Sequence, residues 1–186
     1  MSFRSIIILL AILTGCATNT TQRLHLPAPS VVAQVDLSRY VGTWYEIANF
    51  PQRFQRGCTA TTATYTVRPD RDLDVLNRCR KDTLDGVLKS ALGRARVVDP
   101  STNARLEVSF FRPFWGDYWI IDLDSDYQYA VVGDPGREYL WILNRTPTMA
   151  DATYQSIVTG LQSRGYETSR LVRTLQIDAD DAGSSP

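Results

Sequence analysis

Few side chains in this 186-residue chain could do chemistry. Its three cysteines stand at positions 16, 58 and 79, and its single histidine, His25, falls in a polar N-terminal stretch. A lone histidine outside the folded part removes the commonest general base and metal ligand, and two thiols with no histidine nearby make a poor zinc site. The chain also lacks a Gly-x-Ser-x-Gly nucleophile elbow. These residues therefore imply no catalytic set, no metal and no cofactor. Glu46 stands between Tyr45 and Ile47 on the strand that opens at Gly42. A buried carboxylate either holds a polar head group or is satisfied by its neighbours, and the second is commoner.

The remaining chemistry-bearing residue is Cys16. Arg4 supplies a single positive charge, residues 6–13 form an unbroken apolar run, and Leu13-Thr14-Gly15-Cys16 follows directly. The run is too short to span a bilayer, so residues 1–15 read as a secretion signal. Its ending resembles the bacterial lipobox. That resemblance implies diacylglyceryl transfer to the Cys16 sulfur, cleavage before Cys16 and acylation of the new amino terminus. Each buried methylene contributes about 0.8 kcal/mol, and stable anchoring needs more than one chain. Ala17 follows, where aspartate would signal inner-membrane retention, so the expected location is the outer membrane, anchored by lipid and facing the periplasm. Residues 16–34, rich in Thr, Asn, Gln, Pro and Ser, read as a flexible tether. Acidic and basic residues balance at 20 each, which gives no field that would favour a nucleic acid.

The elements that must position these residues begin at 36–50. A one-turn segment at 36–40 leads to Gly42, which opens a strand carrying Trp44. Glycine permits a sharp turn or a close approach, and tryptophan brings a large apolar body with an N–H that needs a partner. Residues 59–67, 73–80, 86–98, 105–112, 117–124, 127–133 and 138–145 then read as strands between turn signals such as Pro69-Asp70 and Asp134-Pro135-Gly136. Gly93 suggests a bulge or coil, and residues 113–116 punctuate. Eight strands joined by short turns predict an all-β antiparallel up-and-down barrel, although a twisted sandwich satisfies the same pattern. Thr148 is placed to cap a helix with Asp151 three residues on. Met149, Tyr154, Ile157, Val158 and Leu161 give that helix one narrow apolar stripe, so it should lie on the outside of the barrel. Residues 171–177 could add a last short strand, and 178–186 read as a frayed tail.

Gly42-Thr43-Trp44, Ser125-Asp126-Tyr127 and Arg145 before the helix resemble the three conserved blocks of the lipocalin family. The similarity to bacterial members extends through Thr62-Ala63-Thr64-Tyr65, Val108-Ser109-Phe110-Phe111 and Tyr139-Leu140-Trp141-Ile142-Leu143. It runs from about residue 35 to about residue 176, within a domain expected over 35–177. The resemblance implies a barrel open at one end, with Arg145 laid across the Trp44 ring at the closed end. Gly42, Trp44, Asp126, Tyr127 and Arg145 are then structural. A guanidinium over an indole gains cation–π attraction while its donors meet strand-end carbonyls.

Counting in twos from Trp44 and Arg145 turns Glu46 and Ala48, and Tyr139, Trp141 and Leu143, into the barrel. The resemblance adds Ala63, Tyr65 and Val75, and Phe110 and Ile120 complete the proposed lining. Phe50, Phe54, Phe114 and Trp115 fall in loops, either as a rim to the mouth or as ordinary core aromatics. Export to an oxidising compartment favours a Cys58–Cys79 disulfide. If Tyr65 and Val75 both face inward, strict alternation turns Cys58 outward, so a bulge or strand end must intervene. The function these features imply is binding, with storage or transport, of a fatty acid or lysophospholipid. Competing readings are an envelope protein whose barrel is filled by its own side chains and, less supported, a lipid-modifying enzyme. The sequence leaves open whether the chain forms a homodimer.

Overall fold

The computed structural model describes residues 26–177. Within them the chain runs through α1 (Leu37–Tyr40), β1 (Gly42–Asn49), β2 (Cys58–Val67), β3 (Leu73–Lys81), β4 (Leu88–Val97) and β5 (Arg105–Phe111). It continues through β6 (Phe114–Leu123), β7 (Tyr129–Gly133), β8 (Leu140–Asn144), α2 (Asp151–Ser163) and β9 (Val172–Arg173). Each strand from β1 to β8 pairs antiparallel with the next, and β8 pairs with β1. The sheet therefore closes on itself as an eight-stranded up-and-down barrel. The short β9 adds to the free side of β1 near its end, where Ala48 faces Arg173 and Asn49 faces Val172.

Alternation along the strands sorts the apolar residues into two layers. Trp44, Tyr65, Val75, Leu106, Ile120, Val132 and Leu143 meet inside the barrel. Ile47, Phe50, Ile121, Val131 and Ile142 face out, and Ile157 and Leu161 of α2 cover them together with Tyr166. The narrow stripe of α2 thus packs on the barrel wall as its pattern requires. The expected Thr148 cap is not made. Ala150 precedes the helix and offers no side-chain acceptor, while the Thr148 carbonyl is taken up by Asn144 Nδ2 at 2.7 Å and Thr146 Oγ1 at 2.7 Å.

Three further departures from the sequence reading have backbone causes. β6 begins at Phe114, so residues 114–116 belong to a strand, and Phe111 pairs with Phe114 across a tight turn. Gly93 causes no bulge against β3, since the register runs unbroken from Leu73↔Ala95 to Arg80↔Leu88. Its missing side chain instead makes room for Phe110, whose ring a Cβ at 93 would meet at 2.7 Å. Finally, residues 26–34, assigned by composition to the tether, lie against the domain. Arg137 Nη2 donates to the Pro27 carbonyl at 2.8 Å, Pro29 is buried, and the Val32 amide donates to the Ile120 carbonyl at 3.0 Å.

Cys58 and Cys79 form a disulfide with their Cα atoms 5.4 Å apart. The bulge that strict alternation demanded is present. Thr59 faces Arg80 and Thr62 faces Arg78, so β2 carries one extra residue, with Ala60 at φ 45°. That residue reverses the phase of β2 and brings Cys58 to the side of Cys79.

Candidate functional site

One end of the barrel is sealed. Gly42 enters β1 at φ 93°, and Trp44 two residues later is fully buried, its Nε1 donating to the Tyr40 carbonyl at 2.8 Å. The Arg145 guanidinium lies 3.7 Å from the centre of the Trp44 ring. Its nitrogens donate to the carbonyls of Arg39 (2.6 Å), Thr43 (3.1 Å), Tyr127 (3.2 Å) and Tyr40 (3.3 Å). One side chain thereby ties α1, β1 and the β6–β7 turn together. In that turn Tyr127 accepts the Asp36 amide on its hydroxyl at 2.8 Å. Asp126 itself is exposed, and the carboxylate that organises the turn is that of Asp124, which accepts the amides of Asp126 and Gln128.

Above this floor, three tyrosine hydroxyls meet in the buried interior. Tyr118 stands between Tyr40 at 2.7 Å and Tyr65 at 2.8 Å. Burial holds all three phenols above their usual range, with Tyr65 pushed up to about 12. Tyr40 and Tyr118 were not among the sequence-derived lining residues. Tyr118 could have been, because it lies two positions before Ile120 and so shares its face.

Of the proposed lining, Tyr65, Val75, Ile120 and Leu143 belong to the interior cluster, and Ala63 and Trp141 pack against it. Ala48 does not. The β1–β8 register jumps from Glu46↔Leu143 to Ala48↔Ile142, so a bulge at Ile47 turns Ala48 outward beneath α2. Asn49 consequently takes the inward phase, opposite Trp141. Phe110 is 43% exposed beside Gly93. Along β4, the positions facing Asn77 and Val75 pass from exposed Ala91 to buried Gly93. The inward face of β4 is therefore uncovered toward the end opposite Trp44 and covered toward the sealed end.

At that open end Phe54, Tyr139 and Trp141 stack in succession, with ring centres 6.4 and 6.0 Å apart. Phe50, by contrast, is fully buried against Tyr166. Glu46 lies just below the stack and is only 3% exposed. Its carboxylate accepts from Asn49 Nδ2 (2.6 Å), Thr174 Oγ1 (2.5 Å) and Gln55 Nε2. Burial raises its pKa, and these three neutral donors offset the rise in part. Gln55 also accepts Trp141 Nε1 at 3.1 Å, so the carboxylate fixes the aromatic stack through one intermediary. Through Thr174 it holds the segment after β9, whose Gln176 donates to the carbonyls of Glu46 and Thr61 and closes the gap between β1 and β2. Gln55 and Thr174 carry no signal in sequence that separates them from other polar residues.

Comparison with known proteins places this barrel in a family. Residues 35–176 match the family model described as a lipocalin-like domain. The chain is a lipocalin. It is 40% identical to the outer membrane lipoprotein Blc of Escherichia coli K12, over 87% of this chain and 88% of the relative. It is 42% identical to temperature-induced lipocalin-1 of Arabidopsis thaliana, over 80% and 83%. Mouse apolipoprotein D is 31% identical over 95% of this lipocalin and 98% of its own length. Among solved structures, insecticyanin from Manduca sexta superposes with a TM-score of 0.64 at 20% identity, covering 84% of this lipocalin and 88% of insecticyanin, a likeness of fold.

Proposed function

We propose that this lipocalin is a lipid-anchored protein of the bacterial outer membrane that binds, and stores or transports, fatty acids or lysophospholipids in its barrel. The observation that carries the reading is the lining. Tyr65, Val75, Ile120 and Leu143 form an apolar interior, packed against one another at 0–5% exposure, in a barrel sealed by Arg145 and Trp44 and rimmed by stacked aromatics, so a ligand chain would take the place of side-chain contacts there. Removing an acyl chain from water contributes about 25 cal/mol per Å² of apolar surface, so such a lining retains a long chain without forming a bond to it. Binding and release leave the ligand chemically unchanged. The relatives named outer membrane lipoproteins support the location, and Cys16 after its apolar run supports acyl chains as the anchor.

Native mass spectrometry of the protein released from its envelope, titrated with a fatty acid and a lysophospholipid of equal chain length, tests this. One ligand per barrel, or per pair of barrels, is the expected result. A folded, disulfide-bonded protein that takes up neither would overturn the reading in favour of a self-filled barrel. The mass of the N-terminal peptide separately tests for acyl chains on Cys16.

A further inference from the structure

The two ends of the barrel differ in what they show to solvent. The β1–β2, β3–β4, β5–β6 and β7–β8 connections lie at the open end, and the β2–β3, β4–β5 and β6–β7 turns at the sealed one. Among the described residues, the large apolar side chains that stand exposed fall almost entirely on the open half. Phe54 is 73% exposed, Phe111 75% and Phe114 70%, with Val87 and Leu88 at the β3–β4 tip and Leu92 below it. Only Val67 and Val98 are comparable at the sealed end. Phe111 and Phe114 stack on each other with ring centres 6.2 Å apart, an apolar face with no protein over it. A soluble protein rarely leaves so many apolar groups together without a partner.

The N-terminal segment indicates which partner. Val35 is fixed at the sealed end by the Thr102 carbonyl, Val32 by Ile120 in the wall, and Pro27 by Arg137 of the open-end β7–β8 loop. Leu26 lies against Gly165, beside that loop. The segment thus runs along the outside of the barrel, and the chain toward Cys16 departs from the open half. Cys16 is ten positions away, a reach of at most about 33–36 Å when fully extended. Turning the sealed end to a membrane would use most of that reach to pass back along the barrel. Turning the open end to it uses little.

We infer that the mouth of the barrel docks on the leaflet that holds the acylated Cys16, with Phe111, Phe114, Val87 and Leu88 entering the lipid interface. This rests on the anchored, ligand-binding reading above and deepens it: the ligand is a leaflet lipid that passes between bilayer and barrel without crossing water. Apolar rim groups supply the second attachment that, with the acyl chains, holds one orientation.

The test uses full-length acylated protein in vesicles of phosphatidylethanolamine and phosphatidylglycerol, read by hydrogen exchange. Peptides covering 84–88 and 110–115 should be protected by the vesicles, and those covering 68–72 and 124–128 should not. Protection at the sealed end, or at neither end, overturns the inference. So does rim protection without vesicles that grows with protein concentration, since a second copy of the chain then covers the rim. Phe111→Ser combined with Phe114→Ser, both at exposed positions, should slow transfer of a fluorescent fatty acid from vesicles at least tenfold. Its binding to the same fatty acid dispersed in solution should be unchanged. Equal transfer rates in variant and parent also overturn the inference. Because the exchange readout needs no ligand, a failure of ligand binding is told apart from a failure of docking, and an unmodified Cys16 peptide identifies a failure of the anchor.

Discussion

Replacing Arg145 by methionine should destabilise the fold by about 3–4 kcal/mol and leave ligand affinity unchanged. The figure follows from what the guanidinium holds. It donates to four carbonyls, of which Tyr40 keeps a second donor in Trp44 Nε1, so three lose their only side-chain donor. A charge-assisted hydrogen bond contributes about 1.5–3 kcal/mol when buried. The contacts to Arg39 and Thr43 are exposed, so water replaces much of what is lost there. Two such bonds at a fraction of that value, one at nearly full value and roughly 1 kcal/mol of cation–π attraction give the total. Methionine keeps the apolar stem over Trp44, which limits the loss from packing. Arg145→Lys retains the charge but reaches fewer carbonyls and should cost about 2 kcal/mol. Urea unfolding of the oxidised protein, with the m-value checked for constancy, measures both. A loss below about 1 kcal/mol for methionine, or a lysine variant equal to the parent, would show that the floor is sealed by packing of Trp44 and Tyr40 alone. A large fall in ligand affinity with little loss of stability would instead put Arg145 in the binding site.

Tyr118→Phe removes the hydroxyl shared by Tyr40 and Tyr65 and leaves two buried phenols without their partner, at about 2–4 kcal/mol in urea unfolding, whereas Tyr65→Phe leaves the Tyr40–Tyr118 bond and should cost about 1 kcal/mol. The same three phenols give an alkaline limit. Unfolded tyrosines ionise near 10 and the folded ones only higher, so their contribution is present below pH 10 and should fall away as the pH rises above it, for Tyr65 through about 12, seen as a falling urea midpoint. Glu46 works in the acid range with the same sign: its raised pKa adds stability below the unfolded value of 4.5 that is lost as the pH rises through the folded value. Glu46→Gln should therefore flatten the fall in stability as the pH rises above 4.5, and an unchanged slope would refute burial as the cause. Reducing Cys58–Cys79, which spans a sequence separation of 21, should cost about 3 kcal/mol in the chain-entropy account, measured as the difference in unfolding free energy with and without reductant.

The barrel was legible because side-chain alternation reports which face of a strand is buried, and eight alternating segments between short turns have few ways to close. The Trp44–Arg145 pair was legible for another reason: both residues belong to blocks recognisable by type and order. Alternation also exposed the difficulty at Cys58, and the extra residue around Ala60 resolves it as a bulge. What could not be read was a bulge with no conflict to announce it. Ile47 and Ala48 are both apolar, so either phase looks acceptable in sequence, and only the jump in register against β8 turns Ala48 under α2.

The same limit governs the two chain ends, and it bears most on function. Residues 26–34 are held by backbone carbonyls and amides, as at Pro27 and Val32, and a backbone group is identical in a tether and in a docked segment. Their composition therefore described a linker, while their hydrogen bonds fix them along the wall. At the other end, Thr174 and Gln176 look like tail residues until Glu46 and the carbonyls of the β1–β2 gap supply their partners. Glu46 shows how the two kinds of information combine. Sequence placed a carboxylate inward near the mouth and required that it be satisfied, and the structure supplies Asn49, Gln55 and Thr174 as the donors. Both oxygens of Glu46 are engaged by protein, and through Gln55 the carboxylate also holds Trp141 of the aromatic stack.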